Sequence, residues 1–504
     1  MAGLLFQGTN EPDLVGGTDE SDTVYGAGGN DDIETRGGGD YVEGGDGNDL
    51  IRDEDYYYYA TEFGLIALSE GPGNDTLSGG AGADTIISYQ TGDNDLARDL
   101  LSGDAGNDML FGCDVGNILL GGAGDDTLTS GAGADEMIGG DFISSLQGFD
   151  FASYEAAAGP VSAFLGNAAA NAGAAAGDTY SGIRGLIGSS YGDVLGAAFV
   201  ASQLRGGDGN DTLISGVGAD TISGGGNGGD VVTYVNSTAG ILADLRSFIF
   251  SGGHAQGDVV FGVSAVIGSD HNDSIGGTDS GNRLAGGLGD DYLSAYEGAD
   301  IVLGGAGRDS IEGGRGADTI EGGDGNDIIS DLEGILLKPG VADDGAADLL
   351  RGDAGNDQLF AYGGNDSLEG GIGRDRLIGG AGNDRLLGGL QADTMNGGQG
   401  RDTYAYAAAN EGNDAILTFT SRADLFEISA GGFRGGLQAG DNLATTNAFV
   451  LGTAPTAGYG QFLYDQPTGT LLWDRDGSGI AAAVVIADLA DGTLVRASDF
   501  VIVA

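Results

Sequence analysis

Residues 352–405 read, in nines, GDAGNDQLF, AYGGNDSLE, GGIGRDRLI, GGAGNDRLL, GGLQADTMN and GGQGRDTYA, six registers without a gap. The sixth position is always Asp: Asp357, Asp366, Asp375, Asp384, Asp393 and Asp402. The eighth is always apolar or aromatic: Leu359, Leu368, Leu377, Leu386, Met395 and Tyr404. A period of nine fits neither an amphipathic helix nor a hairpin, so the nonamer is itself the structural unit. Each divides into a Gly-rich turn bearing one carboxylate and a short strand with a single inward side chain. Glycines in the turn permit positive φ and let backbone carbonyls converge where a Cβ would obstruct them. Two units make one turn of a coil, so carboxylates eighteen residues apart stack along one edge.

The same register recurs outward from this stretch. Five nonamers cover residues 8–52, two cover 70–87, four cover 103–138, four cover 188–223 and seven cover 268–330. Insertions part them at 53–69, 88–102 and 331–351. Residues 150–229 and 230–309 also align with each other at an offset of 80, pairing Tyr154 with Tyr234, Leu165 with Leu245 and Asp178 with Asp258. Each copy opens with about forty residues of apolar alternation; these bridges, within the interruptions at 139–187 and 224–267, are expected to continue the coil as rungs without metal. The roll is thus expected over 1–405. Residues 406–504 lose the turn signature and alternate apolar residues with turns, as antiparallel strands capping an open coil would.

One carboxylate per turn, converging carbonyls, two histidines and one cysteine (Cys113) make an oxygen-ligand chemistry that suits Ca²⁺. The expected ligands are Asp31, Asp40, Asp49, Asp75, Asp84, Asp108, Asp126, Asp135, Asp211, Asp220, Asp291, Asp300, Asp309, Asp318 and Asp327, with the six aspartates of the opening stretch. Counting sites per stacked pair or per nonamer gives roughly 16–28 ions. The chain carries 77 acidic and 19 basic residues, a formal charge of −58. That balance excludes nucleic acid and anionic membranes as partners and attracts multivalent cations. No run of eighteen apolar residues suggests membrane insertion. Without cations the stacked carboxylates repel, so folding and calcium binding are expected to be one event.

The repeated G-G-x-G-x-D-x-U-x, with U apolar, resembles the RTX (repeats-in-toxin) family of calcium-binding proteins. That resemblance implies an all-β fold, a right-handed parallel β-roll with Ca²⁺ between successive turns. The tail, ending Asp499-Phe500-Val501-Ile502-Val503, resembles the C-terminal domain of serralysin-like proteins exported by a type I secretion channel of a Gram-negative bacterium. The start, MAGLLFQGTNEPDLVGG, is unlike a usual signal peptide, in keeping with export directed from elsewhere in the chain. Thr418 stands where that family carries Asp before the Phe, here Phe419.

Signals for catalysis are poor. No H-E-x-x-H occurs, and Lys338 is the one lysine. Gly188-Ser189-Ser190-Tyr191-Gly192 matches G-x-S-x-G, but its counterpart at residues 268–272 is GSDHN, and both are phased as nonamer turns. Tyr56–Tyr59 form an aromatic cluster outside the repeat phase, either a contact surface or a loop that buries its own rings. The resulting expectation is a secreted structural or adhesive protein of a surface layer or matrix, not an enzyme. Its partners would be calcium, the type I machinery, and further copies of itself or a cell-surface polysaccharide. The alternative is an extracellular polysaccharide lyase or epimerase working on a solenoid face.

Overall fold

Strands of three to six residues follow nearly every turn, and each pairs in parallel with the strand one coil further on. Thr76–Ala81, Leu100–Ala105 and Ile118–Ala123 are typical, with Leu77 opposite Leu101 and Leu101 opposite Leu119. Side chains alternate in and out along a strand. The eighth nonamer residue therefore points inward and is fully buried, as at Leu77, Ile86, Leu110, Leu128, Ile320, Leu377 and Met395. The core is a stack of such single side chains. The computed structural model describes residues 3–18, 20–35, 40–53, 74–88, 98–113, 115–140, 148–331, 345–478 and 481–504. The Tyr56–Tyr59 cluster and Lys338 lie outside the described residues.

The chain divides into two units, residues 1–234 with 254–263, and residues 235–253 with 264–504. The first holds an eight-stranded sheet running from Leu5–Gln7 to Thr179–Ser181 and an eleven-stranded sheet running from Leu14–Gly16 to Val259–Phe261. The second holds a fourteen-stranded sheet from Ile249–Ser251 to Phe449–Leu451. A parallel ladder from Ala265–Ile267 to Phe500–Val503 accompanies it.

The two 80-residue copies have a defined topological role. In the first, Thr179–Ser181 ends one sheet while Ser162–Phe164 begins another. Eighty residues on, Val259–Phe261 ends a sheet and Leu242–Asp244 pairs onward with Ser274–Gly276. Each bridge therefore closes one sheet and opens the next, while other strands of the coil continue, as Phe151–Ser153 does between Thr127–Thr129 and Gly185–Ile187.

The coil also outlasts its glycine signature. Asp414–Thr418 pairs in parallel with Thr394–Gln399, and Leu425–Ser429 with Thr403–Tyr406, both beyond Ala405. Strand pairing needs only the inward apolar residue, so it survives loss of the Gly-rich turn. The tail is not purely antiparallel. Gln461–Asp465, Thr470–Asp474 and Val484–Leu489 form antiparallel pairs, but Val484–Leu489 joins the coil in parallel through Asp414–Thr418. Phe426, Phe433, Phe462, Trp473 and Phe500 pack together there, with ring centroids 4.6–5.7 Å apart. The Trp473 indole N–H donates to the Phe433 carbonyl at 3.1 Å.

Candidate metal centre

The sixth-position carboxylates form a directional ladder. The backbone N–H of each donates to the Oδ1 of its counterpart one coil onward, from Asp31 to Asp49 at 2.8 Å, Asp291 to Asp309 at 2.9 Å and Asp375 to Asp393 at 2.8 Å. Insertions are stepped over: Asp49 reaches Asp84 and Asp327 reaches Asp357 with the same bond. All 21 aspartates expected from the sequence are buried and lie on this ladder. A buried carboxylate normally has hydrogen-bond donors on both oxygens or a cation beside it. Yet the second oxygen, Oδ2, of Asp49, Asp108, Asp126, Asp291, Asp309, Asp357, Asp375 and Asp393 is buried with no hydrogen-bond partner among the described residues.

The glycines explain where these oxygens point. At first-position Gly121, the place a Cβ would occupy is 2.5 Å from Asp126 Oδ2 and 2.6 Å from the carbonyl oxygen of Gly139. Gly370 stands likewise, 2.6 Å from Asp375 Oδ2 and 2.5 Å from the Gly388 carbonyl. A carboxylate of one rung and a carbonyl of the next thus share a hollow that any side chain would fill. Fourth-position glycines such as Gly382, at φ 147°, back directly onto the carbonyl of the preceding coil, where a Cβ would overlap Gly364 O. The donor set is carboxylate and carbonyl oxygen, suited to a hard cation of flexible coordination.

Burial pushes these carboxyls up. Asp84, Asp126, Asp291, Asp357 and Asp393 rise from the ordinary 3.8 to about 7, and Asp211, Asp300, Asp309 and Asp375 to about 6. Desolvation is the largest cause. Repulsion from ladder neighbours adds to it at Asp126 and Asp291, opposed by the backbone N–H each accepts. A divalent cation removes both penalties by neutralising the pair.

The ladder holds carboxylates that a strict nonamer reading passes over. Asp99, Asp150, Asp178, Asp230, Asp258, Asp348, Asp414 and Asp424 each accept from the preceding rung's N–H. Their signal is shorter than the nonamer: an Asp two residues before an inward side chain, as in Asp99-Leu100-Leu101 or Asp424-Leu425-Phe426. Asp348 also joins Asp318 and Asp331, one oxygen of each lying within 4.8 Å of the others. Ser189 of the G-x-S-x-G stretch is buried and donates its hydroxyl to Asp193 at 2.9 Å, so it serves the turn.

A family model for the RTX calcium-binding nonapeptide repeat (4 copies) matches residues 16–51, 71–90, 96–112, 114–146, 203–231, 267–302, 276–311, 303–330, 344–377 and 369–404. These segments span more than half of the chain, which therefore belongs to the family of RTX calcium-binding repeat proteins. Its repeats bind Ca²⁺ at multiple sites. No curated protein matches the chain. Among solved structures, the extracellular lipase LipA from Serratia marcescens is similar at 17% identity, over 46% of this chain and 40% of the lipase. This chain thus spans well under half of that enzyme, and a TM-score of 0.16 carries no argument about fold or activity. Among the described residues, no helix is long and apolar enough to cross a membrane.

Proposed function

We propose that this chain is an exported calcium-binding scaffold whose fold is assembled by extracellular Ca²⁺ and whose role is structural or adhesive. The reading is carried by one observation: buried Oδ2 atoms without donors that share a hollow with a carbonyl of the next rung, as at Asp126, Asp291, Asp309 and Asp375. Aspartates of the ladder would hold the cations through Oδ2, with first-position carbonyls completing the oxygen set. When bound, the ion supplies the positive charge that lets stacked carboxylates pack. Extracellular calcium modules work at about 10⁻⁴–10⁻³ M, so the chain would stay open inside a cell and close outside it. Passage through a type I channel as an open chain fits that order of events, as does the habit of RTX proteins to be secreted by Gram-negative bacteria.

A surface-layer, matrix or adhesion role fits a chain that is mostly repeat, with two histidines and one lysine to build an active site from. Circular dichroism of the full chain tests the first part: β structure should rise strongly with millimolar Ca²⁺ and fall back with a chelator. A spectrum that ignores the chelator overturns it. Imaging the calcium-loaded protein on bare grids and on polysaccharide-coated ones tests the second. Lattices, filaments or retention on the coat are expected. Turnover of alginate or pectin would instead establish the enzyme.

A further inference from the structure

One backbone residue divides the rungs into two kinds. In rungs whose Oδ2 has no donor, the second nonamer residue is left-handed: Gly122 at φ 106° for Asp126, Gly305 at 117° for Asp309 and Gly371 at 106° for Asp375. Among the described residues, five non-glycines are held in the same conformation at this position, namely Ala27, Asp104, Tyr296, Asp353 and Tyr362, with φ between 62° and 79°. L-residues adopt it only at a cost, and such cost persists where surroundings or function demand it.

The second kind has no left-handed residue there. Its second residue turns its N–H onto the carboxylate instead, from Thr18 to Asp22 Oδ2 at 2.6 Å, Gly216 to Asp220 Oδ2 at 3.0 Å, and Ser189 to Asp193 and Ser269 to Asp273. Where that residue is Ser or Thr, its hydroxyl adds a further bond, as from Ser269 to Asp273 at 2.9 Å. In the 80-residue bridges a tyrosine completes the closure. Tyr154 donates to Asp178 Oδ2 at 2.7 Å, beside Ser130 at 3.1 Å; Tyr234 and Ser215 do the same for Asp258 at 3.2 and 3.0 Å.

We infer that the conformation of the second residue decides whether a rung takes a cation: rungs where it is left-handed are open calcium sites, and rungs where its N–H turns onto the carboxylate are closed by their own protons and take none. The inference rests on the calcium reading above and narrows it. It withdraws Asp135 and Asp220 from the ligand set, since Ser130 donates to Asp135 Oδ2 at 2.6 Å and Gly216 to Asp220. It also makes the closed rungs sites of structure that calcium does not control.

The test is an ion count by native mass spectrometry on the full chain refolded in millimolar Ca²⁺. D309N, in an open rung, should lose at least one ion, whereas D193N, in a closed rung, should keep the full count. Equal loss in both overturns the division but leaves the calcium reading standing; loss in neither overturns the calcium reading itself. Hydrogen exchange in chelator reads the same division without counting: amides around Ser189 and Tyr154 should stay slower than those around Gly305, and equal rates overturn it.

Discussion

A glycine in this protein is costly to replace for two separable reasons, backbone hand and the space a Cβ would need. Gly382 has both, with φ 147° and the Gly364 carbonyl where a Cβ would go. Gly436 has only the first, at φ 99° with nothing nearby. The left-handed conformation costs an L-residue about 1–2 kcal/mol. G382A should therefore raise the calcium midpoint of folding well beyond what G436A does, and equal midpoints would show that carbonyl crowding matters little. Inward residues carry the other large single-site effect. L377A removes a fully buried side chain and should cost about 2–5 kcal/mol, read as a shift of the same midpoint.

The strand and its turn separate cleanly in what the sequence discloses. The D-x-U phase specifies strand, inward residue and ladder carboxylate together, which is why the arrays at residues 268–330 and 352–405 were legible residue by residue. The glycine signature marks something narrower, the left-handed turn, so it stops at Ala405 while the strands run on to Leu425–Ser429. What no local pattern could disclose is the exchange of sheets at the bridges, because that depends on which distant strand finds which edge. Which carboxylates are closed was half visible, as Ser or Thr after the first glycine. The Tyr154 and Tyr234 hydroxyls reach Asp178 and Asp258 across 24 residues, a pairing that only the folded chain brings about.

The final strand belongs to this scale too. Phe500–Val503 pairs with Leu425–Ser429, Phe500 stacks on Phe426 at 5.1 Å, and the buried Asp499 accepts from the Ser421 hydroxyl at 2.6 Å. The terminal residues are thus packed into the fold that follows the repeats. F500A should cost about 3–5 kcal/mol within the cap. Its readout is the single tryptophan, buried Trp473, whose emission should shift to the red while the calcium-induced circular dichroism of the rungs persists. Loss of both signals together would make cap and coil one cooperative unit.

At the scale of the whole chain, the proposed ligation sets protons and calcium in competition for the same oxygens. Carboxyls raised to about 6–7 in the folded state, against 3.8 ordinarily, support the fold most fully below the lower value. They withdraw that support as pH rises through the upper one. In chelator, β structure should accordingly be greater near pH 5 than near pH 8, where the ladder ionises and repels itself. In calcium the sign reverses: the ion must displace those protons, so the midpoint should rise as pH falls through 7 to 6. A pH-independent midpoint would mean that the ladder carboxylates are already ionised before calcium arrives.

The ladder bond runs one way, from an amide to a side-chain oxygen of the following coil, a carboxylate at nearly every step and the Asn117 carboxamide after Asp99. A rung is therefore unlike at its two faces: one offers an N–H awaiting an acceptor, the other a carboxylate already engaged. Within each unit this gives the stack a polarity, comparable to the plus and minus ends of a growing filament. A newly arriving rung on the C-terminal side brings the acceptor to a donor that is already fixed in place, whereas on the N-terminal side it must bring the donor. Growth in the two directions is thus chemically distinct.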